Sequence, residues 1–304
     1  MFLRQLEYLE ALDREQHFGR AAEACHVSQP ALSAAIRGLE RELGVPLVRR
    51  GRRFEGITPE GERVLVWARR VLGDLHGLDQ EVSRLRGGLE GTLRLGAIPT
   101  ALPPSALITS RFRERHPRMR IELRSMTSRE IADGLETGEL DAGLTYLDNE
   151  PLADVRTRPL WREHYLLLST EDVAASAGIT VSWAAASELP LCLLTDDMQH
   201  RRIVDAAFAA AGVSPAPVLV TNSVATLIDH ARNGLPGVTA QTWLVTHHLP
   251  AGLRATPLVE PVVEHTIGIV VPAGAQPTPV VTELLELFGP LELDAEVIRR
   301  SGDA

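Results

Sequence analysis

The chain contains no lysine, only two cysteines and few aromatic residues. All 31 basic residues are arginine, a bias that we attribute to GC-rich codon usage and to no mechanism. Cys25 and Cys192 are too few for a disulfide framework or a cysteine metal site, so they indicate a reducing cytoplasm. We expect both to be small buried hydrophobes, although a redox pair remains an alternative. No run of 18 or more apolar residues occurs, which argues against secretion and membrane spanning.

The 304 residues, 44% of them hydrophobic, suit about two globular domains. The net charge of −9 is unevenly distributed along them. Residues 1–90 hold 14 arginines and 14 acidic residues, whereas residues 91–304 hold 17 arginines and 26 acidic residues. Within residues 19–70 the balance is 10 arginines to 6 acidic residues. A locally positive head on an acidic body would confine contact with a polyanion to the head.

Residues 18–61 predict a helix-turn-helix that is followed at once by an arginine-rich hairpin. Ala21 and Ala22 belong to a short helix of small residues that can pack closely. Ser28 can cap a second helix, and Gly44 can end it. Apolar residues at helical spacing predict the buried side of that second helix: Leu32, Ile36, Leu39 and Leu43.

This combination is typical of a head that reads DNA. Polar and small groups at the start of the second helix suit base edges in a major groove, and the hairpin arginines suit phosphates. The alternative is an ordinary three-helix subdomain with a solvated basic loop. The predicted DNA-contacting residues are Ser28, Gln29, Pro30, Ser33, Arg37, Arg49, Arg50, Arg52 and Arg53.

The same stretch resembles the N-terminal domain of LysR-type transcriptional regulators. The resemblance is carried by Phe18, Ala21, Ala22, the run Ser28-Gln29-Pro30-Ala31-Leu32-Ser33, Ile36, Leu39-Glu40, Leu43-Gly44, Leu47, Arg50 and Thr58-Pro59-x-Gly61. Cys25, Val48 and Ala34-Ala35 depart from the family pattern, and the last pair removes potential DNA contacts. The resemblance implies a bacterial, cytoplasmic transcription factor that binds an interrupted inverted repeat in double-stranded DNA.

Residues 59–86 predict one long helix, roughly 40 Å at 1.5 Å per residue. Its apolar residues alternate at spacings of four and three: Val64, Ala68, Val71, Leu75, Leu78, Val82 and Leu85. Such a heptad seam needs a partner, which is either a second copy or the chain's own C-terminal domain. The family resemblance implies a homodimer through this linker helix, and we expect a homotetramer.

Beyond the glycines at 87, 88 and 91, strands alternate with helices, which predicts a doubly wound parallel α/β sheet. The predicted strands include Leu140–Leu144 and Tyr165–Leu168, and one of the predicted helices is Arg201–Ala211. Two such halves joined by two crossing strands resemble the effector domain of LysR-type regulators, itself similar to periplasmic binding proteins. The expected domains are a winged helix-turn-helix at 1–58, a linker helix at 59–88 and an effector domain at 91–304. Within the effector domain, the first subdomain is expected to comprise about 91–162 and 266–290, and the second about 163–265.

Polar residues follow several predicted strands, where α/β proteins bind small molecules against helix N-termini. Each could instead simply cap a helix. Arg201 and Arg202 could pair with a ligand carboxylate or decorate a surface helix. The resemblance also places effector binding at Thr100, Ser128 and their neighbours. The predicted effector-binding residues are Pro99, Thr100, Thr127, Ser128, Thr195, Met198, Gln199, Arg202, Asn222 and Ser223.

An enzyme is the main alternative function. The sequence contains no glycine-rich phosphate loop, Gly-x-Ser-x-Gly elbow or paired metal-ligand motif. The adjacent His247 and His248 cannot both face one metal on a regular strand. A structural DNA protein, the third class, would not need a large acidic body with a cleft. We therefore expect a regulator with no catalytic residues, metal or cofactor, whose effector is a small, anionic metabolite. RNA polymerase would be a partner if the regulator activates.

Overall fold

A computed structural model describes residues 3–50, 54–173, 178–245, 249–274 and 277–302 of the chain. The predicted wing residues Arg52 and Arg53 lie outside these ranges, as does the pair His247 and His248. The chain forms two compact units. The first comprises Met1–Leu89 with Asp133–Leu140, and the second comprises Glu90–Ala132 with Asp141–Ala304.

The first unit is a winged helix-turn-helix followed by a long helix, as the sequence predicts. Its elements are α1 (Leu3–Glu15), α2 (Phe18–Ala24), α3 (Gln29–Leu43), β1 (Val48–Arg50), β2 (Phe54–Ile57) and α4 (Pro59–Leu85). Ser28 Oγ accepts a hydrogen bond from the Ala31 N–H at 3.4 Å, and Gly44 ends α3 with a φ of +73°. Both signals therefore bound α3 where the sequence places its ends.

The core of this unit is formed by α1, α2 and the inner face of α3, together with residues of the hairpin and of α4. Leu32, Ile36 and Leu39 are fully buried there. Leu43, expected on the same face, is instead 39% exposed and lies outside the buried core. Cys25 is half-buried against this core, whereas Cys192 in the second unit is fully buried.

The hairpin of β1 and β2 joins the core to α4. The two strands pair antiparallel, with Val48 opposite Ile57. Thr58 caps α4 by accepting a hydrogen bond from the Gly61 N–H at 2.9 Å. A side chain at Gly61 would collide with the carbonyl oxygen of Leu47 and approach Ile57 Cγ2 to 2.6 Å. The glycine thus lets the first turn of α4 pack directly against the hairpin.

α4 presents two different faces. Leu65, Ala68 and Leu72 are buried in the head core. The predicted seam included Ala68, and this part of the prediction is wrong because Ala68 packs within its own chain. Further along the seam, Leu78 is 59% exposed and Leu85 is 77% exposed.

The second unit is an α/β body. Its first half contains β3 (Gly91–Ala97), α5 (Leu102–Arg115), β4 (Met119–Ser125), α6 (Ser128–Thr137, whose end groups with the first unit) and β5 (Ala142–Tyr146). β6 (Val155–Thr170) leads into β7 (Val181–Ser182), α7 (Trp183–Ser187), β8 (Cys192–Leu194), α8 (Gln199–Ala210), β9 (Leu219–Thr221), α9 (Val224–Arg232), β10 (Gly237–Ala240) and β11 (Leu253–Val259). β12 (Glu264–Pro272), α10 (Pro279–Glu286) and α11 (Asp294–Gly302) complete it.

The strands follow the order β4-β3-β5-β12-β6-β10-β8-β9, and β11 pairs with β6 and β7. β6 crosses between the halves, since its first part pairs with β12 and its last part with β10 and β11. The sequence predicted only Tyr165–Leu168 of this strand, because the preceding stretch is rich in arginine and lacks an alternating apolar pattern. β7, β11, α7 and α11 were also missed.

Candidate functional site

A cavity of about 260 Å³, including its open mouth, lies at the carboxyl ends of strands from both halves of the second unit. β3, β4 and β5 end at its first wall, and β8 ends at the opposite wall. The lining residues are Ile98, Pro99, Thr100, Thr127, Ser128, Tyr146, Leu194, Met198, Gln199 and His200. Six of the ten residues predicted to bind an effector are therefore brought together: Pro99, Thr100, Thr127, Ser128, Met198 and Gln199.

The first wall is built by two chain segments that leave parallel strands. Pro99 and Thr100 form a single 3-10 turn after β3, which buries Thr100. Thr127 caps α6 in a reciprocal pair with Glu130: the Thr127 N–H donates to the carboxylate at 2.7 Å, and the Thr127 hydroxyl accepts from the Glu130 N–H at 3.2 Å. Ser128 follows as the first residue of α6 and is buried.

The opposite wall carries polar atoms that have no partner among the described residues. Gln199 donates its side-chain amide to the Asn149 carbonyl oxygen, while its Oε1 is buried and unpaired. Both ring nitrogens of His200 are likewise buried and unpaired. Burial lowers the pKa of His200 from 6.5 to about 4, so the imidazole is neutral near pH 7. It offers the cavity one donor and one acceptor.

A buried carboxyl group lies directly behind the first wall. Glu163 on β6 is fully buried, and the Tyr146 hydroxyl donates a short hydrogen bond to its Oε1. The Thr242 hydroxyl lies 3.0 Å from Oε2 of Glu163. Burial raises the pKa of Glu163 from 4.5 to about 7, and the nearby hydroxyls of Tyr146, Thr242 and Thr100 oppose this rise. Glu163 is therefore partly protonated near neutral pH.

The remaining four predicted effector residues do not line the cavity. Arg202 forms a two-point ion pair with Glu150, with contacts of 2.6 and 2.5 Å, and also donates to two backbone carbonyls. Ser223 caps α9 by accepting from the Thr226 N–H at 3.2 Å, and Asn222 beside it is exposed. Thr195 is half-buried at the end of β8. Arg201 is bound to Asp205 and to the Leu194 carbonyl oxygen.

The predicted DNA-reading residues lie on the surface of the first unit. Ser28, Gln29, Pro30 and Arg37 are exposed, and Ser33 is half-buried. Arg37 Nη1 donates to Ser33 Oγ at 3.0 Å, so these two side chains are held together on the outer face of α3. Arg49 on β1 is exposed. The helix and the hairpin thus supply separate polar and cationic groups.

Sequence reasoning missed Tyr146, His200 and Glu163. Tyr146 ends β5, which was predicted to stop at Leu144, so its position at a strand end went unnoticed. His200 follows the predicted Gln199 and belongs to α8, whose start was placed two residues late. Glu163 had no sequence signal, because a glutamate within an arginine-rich stretch reads as exposed.

Two further properties of the described residues bear on function. No group of three His, Cys, Asp or Glu residues among them could hold a metal ion. Across the same ranges, none of the helices combines the length and apolar character needed to cross a membrane.

Comparison with known proteins identifies a family for both parts of the chain. Residues 3–62 match the family described as bacterial regulatory helix-turn-helix protein, lysR family, and residues 86–290 match the LysR substrate binding domain. The chain is 31% identical over 283 residues, 90% of either chain, to the DNA-binding transcriptional dual regulator OxyR of Escherichia coli strain K12.

It is also 32% identical over 241 residues to a probable hydrogen peroxide-inducible genes activator of Streptomyces viridosporus, which covers 78% of this chain and 76% of the relative. Among solved structures, a full-length cysteine-to-aspartate variant of OxyR from Pseudomonas aeruginosa superposes with a TM-score of 0.76 and 31% identity. That match covers 94% of this chain and 93% of the other.

Proposed function

The chain belongs to the LysR family of bacterial transcriptional regulators, and we propose that it binds an interrupted inverted repeat and responds to a small molecule in the cavity. Members of the family bind DNA. Since bacterial DNA lies in the cytoplasm, we expect the protein to act there. The observation that carries the effector proposal is the cavity at the strand ends, with the unpaired polar atoms of Gln199 and His200 in its wall. Buried polar atoms without partners are costly, so a ligand that pairs with them is favoured.

The exposed face of α3 supports the DNA-reading proposal. Gln29 offers an amide that can pair with an adenine edge, while Arg49 and the other hairpin arginines suit phosphates. Gln29→Ala should lose about 1 to 3 kcal/mol at one base pair of the operator. Arg49→Ala should weaken binding to all sequences and reduce the salt slope by about 1.

DNase footprinting upstream of the chain's own gene, with titrations on specific and random duplexes, measures both effects. Equal loss on the two duplexes for Gln29→Ala would remove it from the residues that read bases.

The exposed apolar residues of α4 support self-association. Val71, Leu78 and Leu85 repeat every seven residues and leave apolar surface open in the single chain. A second α4 would cover this surface in a coiled-coil manner, which gives a homodimer and places two heads on the two halves of an inverted repeat. A homotetramer, and contact with RNA polymerase if the regulator activates, are further parts of the proposal.

The cavity suits a small effector. The 260 Å³ includes the open mouth, so the enclosed space is smaller still than the roughly 300–1,000 Å³ typical of sites for drug-sized ligands. The N-terminal ends of α6 and α8 border it, and helix N-termini favour anions, which is the basis of the expected anionic metabolite. Arg201 and Arg202, the other expected anion partners, are occupied by Asp205 and Glu150.

A response to hydrogen peroxide is the second candidate function, since the Streptomyces viridosporus relative is named for it. The chain's cysteines do not suit a thiol response. Cys192 is fully buried in β8, burial raises its pKa, and neither cysteine lines the cavity. Reactive cysteines are accessible and have lowered pKa values. A Cys25→Ser, Cys192→Ala double variant that keeps its effector response would confirm a mechanism without thiol oxidation; loss of a peroxide response would support the second candidate.

A metabolite screen by thermal shift tests the effector proposal, because a ligand of the folded state raises its stability. For a ligand so identified, Thr100→Val and Ser128→Ala should weaken binding by about 0.5 to 1.5 kcal/mol in calorimetry, while DNA binding without effector is kept. Ser223→Ala is the matched control, because Ser223 caps α9 and does not line the cavity. Equal affinities in all three variants would place the effector elsewhere.

A further inference from the structure

Glu163 is an acidic group buried behind the effector cavity without a cationic partner. Tyr146 lines the cavity and donates its hydroxyl to Glu163, so only one side chain separates the carboxyl group from the cavity. Thr242, which does not line the cavity, contacts the other carboxyl oxygen. Among the described residues, no arginine or histidine forms an ion pair with Glu163.

None of the groups that face Glu163 supplies a positive charge that would balance its carboxylate. The phenols of Tyr146 and Tyr165 both have pKa values raised by burial and by Glu163, so they are neutral at physiological pH. His200 and His265 pack against the ring of Tyr165 at centroid distances of 5.5 and 6.4 Å. His200 is neutral, and His265 is bound to the Asp148 carboxylate at 2.9 Å. The surroundings of the carboxyl group thus hold no unbalanced positive charge.

The N-termini of α6 and α8 do not supply enough positive potential to offset the negative charge of Glu163. The start of α6 already carries a carboxylate, because Glu130 accepts from the Thr127 N–H. The start of α8 lies beside Asp196 and Asp197, whose carbonyls and neighbouring Glu150 hold Arg202. A helix N-terminus is equivalent to about half a positive charge, and an acidic group beside it neutralises that charge.

We propose that Glu163 determines the class of effector: the cavity receives a small, uncharged molecule with hydroxyl or amide groups and rejects carboxylates and other anions. This inference rests on the proposed effector function of the cavity, and it replaces the expectation of an anionic metabolite. Gln199 Oε1 accepts from the ligand's donor, and the His200 imidazole pairs with a second polar group. An anion would place a second negative charge across the Tyr146 side chain from an ionised Glu163, and the repulsion is strong where little water screens it.

Pairs of small molecules that differ only in charge test the proposal on the full chain: acetamide with acetate, glycolamide with glycolate, and lactamide with lactate, measured by ligand-observed NMR at pH 6 and pH 8. Cavity binding is defined as binding weakened by Thr100→Val or Ser128→Ala. In the parent at pH 8 each amide should bind more tightly than its carboxylate, by about 10- to 100-fold. Acidification to pH 6 protonates Glu163 and should strengthen carboxylate binding only.

Glu163→Gln should remove both the charge preference and its pH dependence. Thr242 does not line the cavity, and its hydroxyl lies 3.0 Å from the Glu163 carboxylate and 3.2 Å from the backbone carbonyl oxygen of Thr100. Thr242→Val removes this hydroxyl, so the midpoint of the pH dependence should move to higher pH. Thr239→Val, a buried threonine of the same sheet without contact to Glu163, is the matched control and should leave the midpoint unchanged. The Thr242 variant keeps the test open if Glu163→Gln fails to fold.

Tighter carboxylate binding in the parent at pH 8, an unchanged preference in Glu163→Gln, or no cavity binding by any of the amides would overturn the proposal. A different conclusion follows if the amides bind but neither Thr100→Val nor Ser128→Ala weakens that binding. It would overturn the placement of the effector in this cavity, and with it the inference.

Discussion

Glu163 and His200 are buried titratable residues that make stability depend on pH in opposite directions. The folded-state pKa of Glu163 is raised to about 7, so stability is highest below its ordinary pKa and is lost as pH rises through 7. The folded-state pKa of His200 is lowered to about 4, so its contribution is present above 6.5 and is lost as pH falls toward 4. Between about pH 4.5 and 6.5 the two slopes cancel.

Removing one of the two titratable groups should therefore leave the pH dependence of stability that the other group causes. Glu163→Gln should lose stability on acidification from pH 6.5 to 4, and His200→Leu should gain stability from pH 7 to 4.5, each by roughly 1.4 kcal/mol per pH unit relative to the parent. Urea denaturation across this pH range measures both slopes. Parallel curves for parent and variants would show that neither residue changes its protonation on folding.

Two glycines of α4 make a matched pair with opposite expectations. A side chain at Gly61 meets the Leu47 carbonyl and Ile57, whereas one at Gly73 meets nothing within 4 Å. Gly61→Ala should destabilise the head by about 1 to 3 kcal/mol through overpacking. Gly73→Ala should stabilise α4 by about 0.5 to 1 kcal/mol, because alanine is the better helix former. Thermal unfolding of both variants checks the pair, and destabilisation by Gly73→Ala would indicate that a partner chain packs against that position.

At the scale of elements, α4 combines an intrachain face with an exposed apolar face. Leu65 and Leu72 anchor it to the head core, while Leu78 and Leu85 remain open. Because the two sets lie on different sides, we expect a substitution at Leu78 to change association without disturbing the head.

Leu78→Glu should separate the protomers, because it places a charge in the proposed seam. His76→Glu is the matched control, since His76 is exposed and lies off the seam. Sedimentation equilibrium of both variants measures the mass. A Leu78→Glu variant with the parent's mass would mean that the chains associate through another surface.

At the scale of the whole molecule, charge is divided between the two functional parts. Residues 91–304 hold 26 acidic residues against 17 arginines, whereas residues 1–90 are balanced. The acidic body should therefore repel DNA and restrict contact to the head.

A fragment of residues 1–88 should therefore bind random duplex DNA more tightly than the full chain at low salt. The difference should shrink as salt rises, because the Debye length falls from about 30 Å at 0.01 M to about 8 Å at 0.15 M. Fluorescence anisotropy over this salt range provides the comparison. A difference that does not depend on salt would point to steric rather than electrostatic restriction.

The sequence by itself determined the features that depend on neighbouring residues. The cap at Ser28, the stop at Gly44 and the helical spacing of Leu32, Ile36 and Leu39 defined the DNA-reading helix, because capping and periodicity act within a few turns. The alternation of strands and helices likewise placed Thr100 and Ser128 at strand ends, where a parallel sheet brings them to one edge.

Only the tertiary structure decided which polar groups are buried and what they meet. Glu163 lies in an arginine-rich stretch, and it is buried where β6 crosses between the halves and where Tyr146 of β5 and Thr242 contact its carboxyl group. Arg202 turns to Glu150, which precedes it by some fifty residues, and so leaves the cavity uncharged. Burial and pairing between distant segments depend on the whole chain path, so no local pattern in the sequence encodes them.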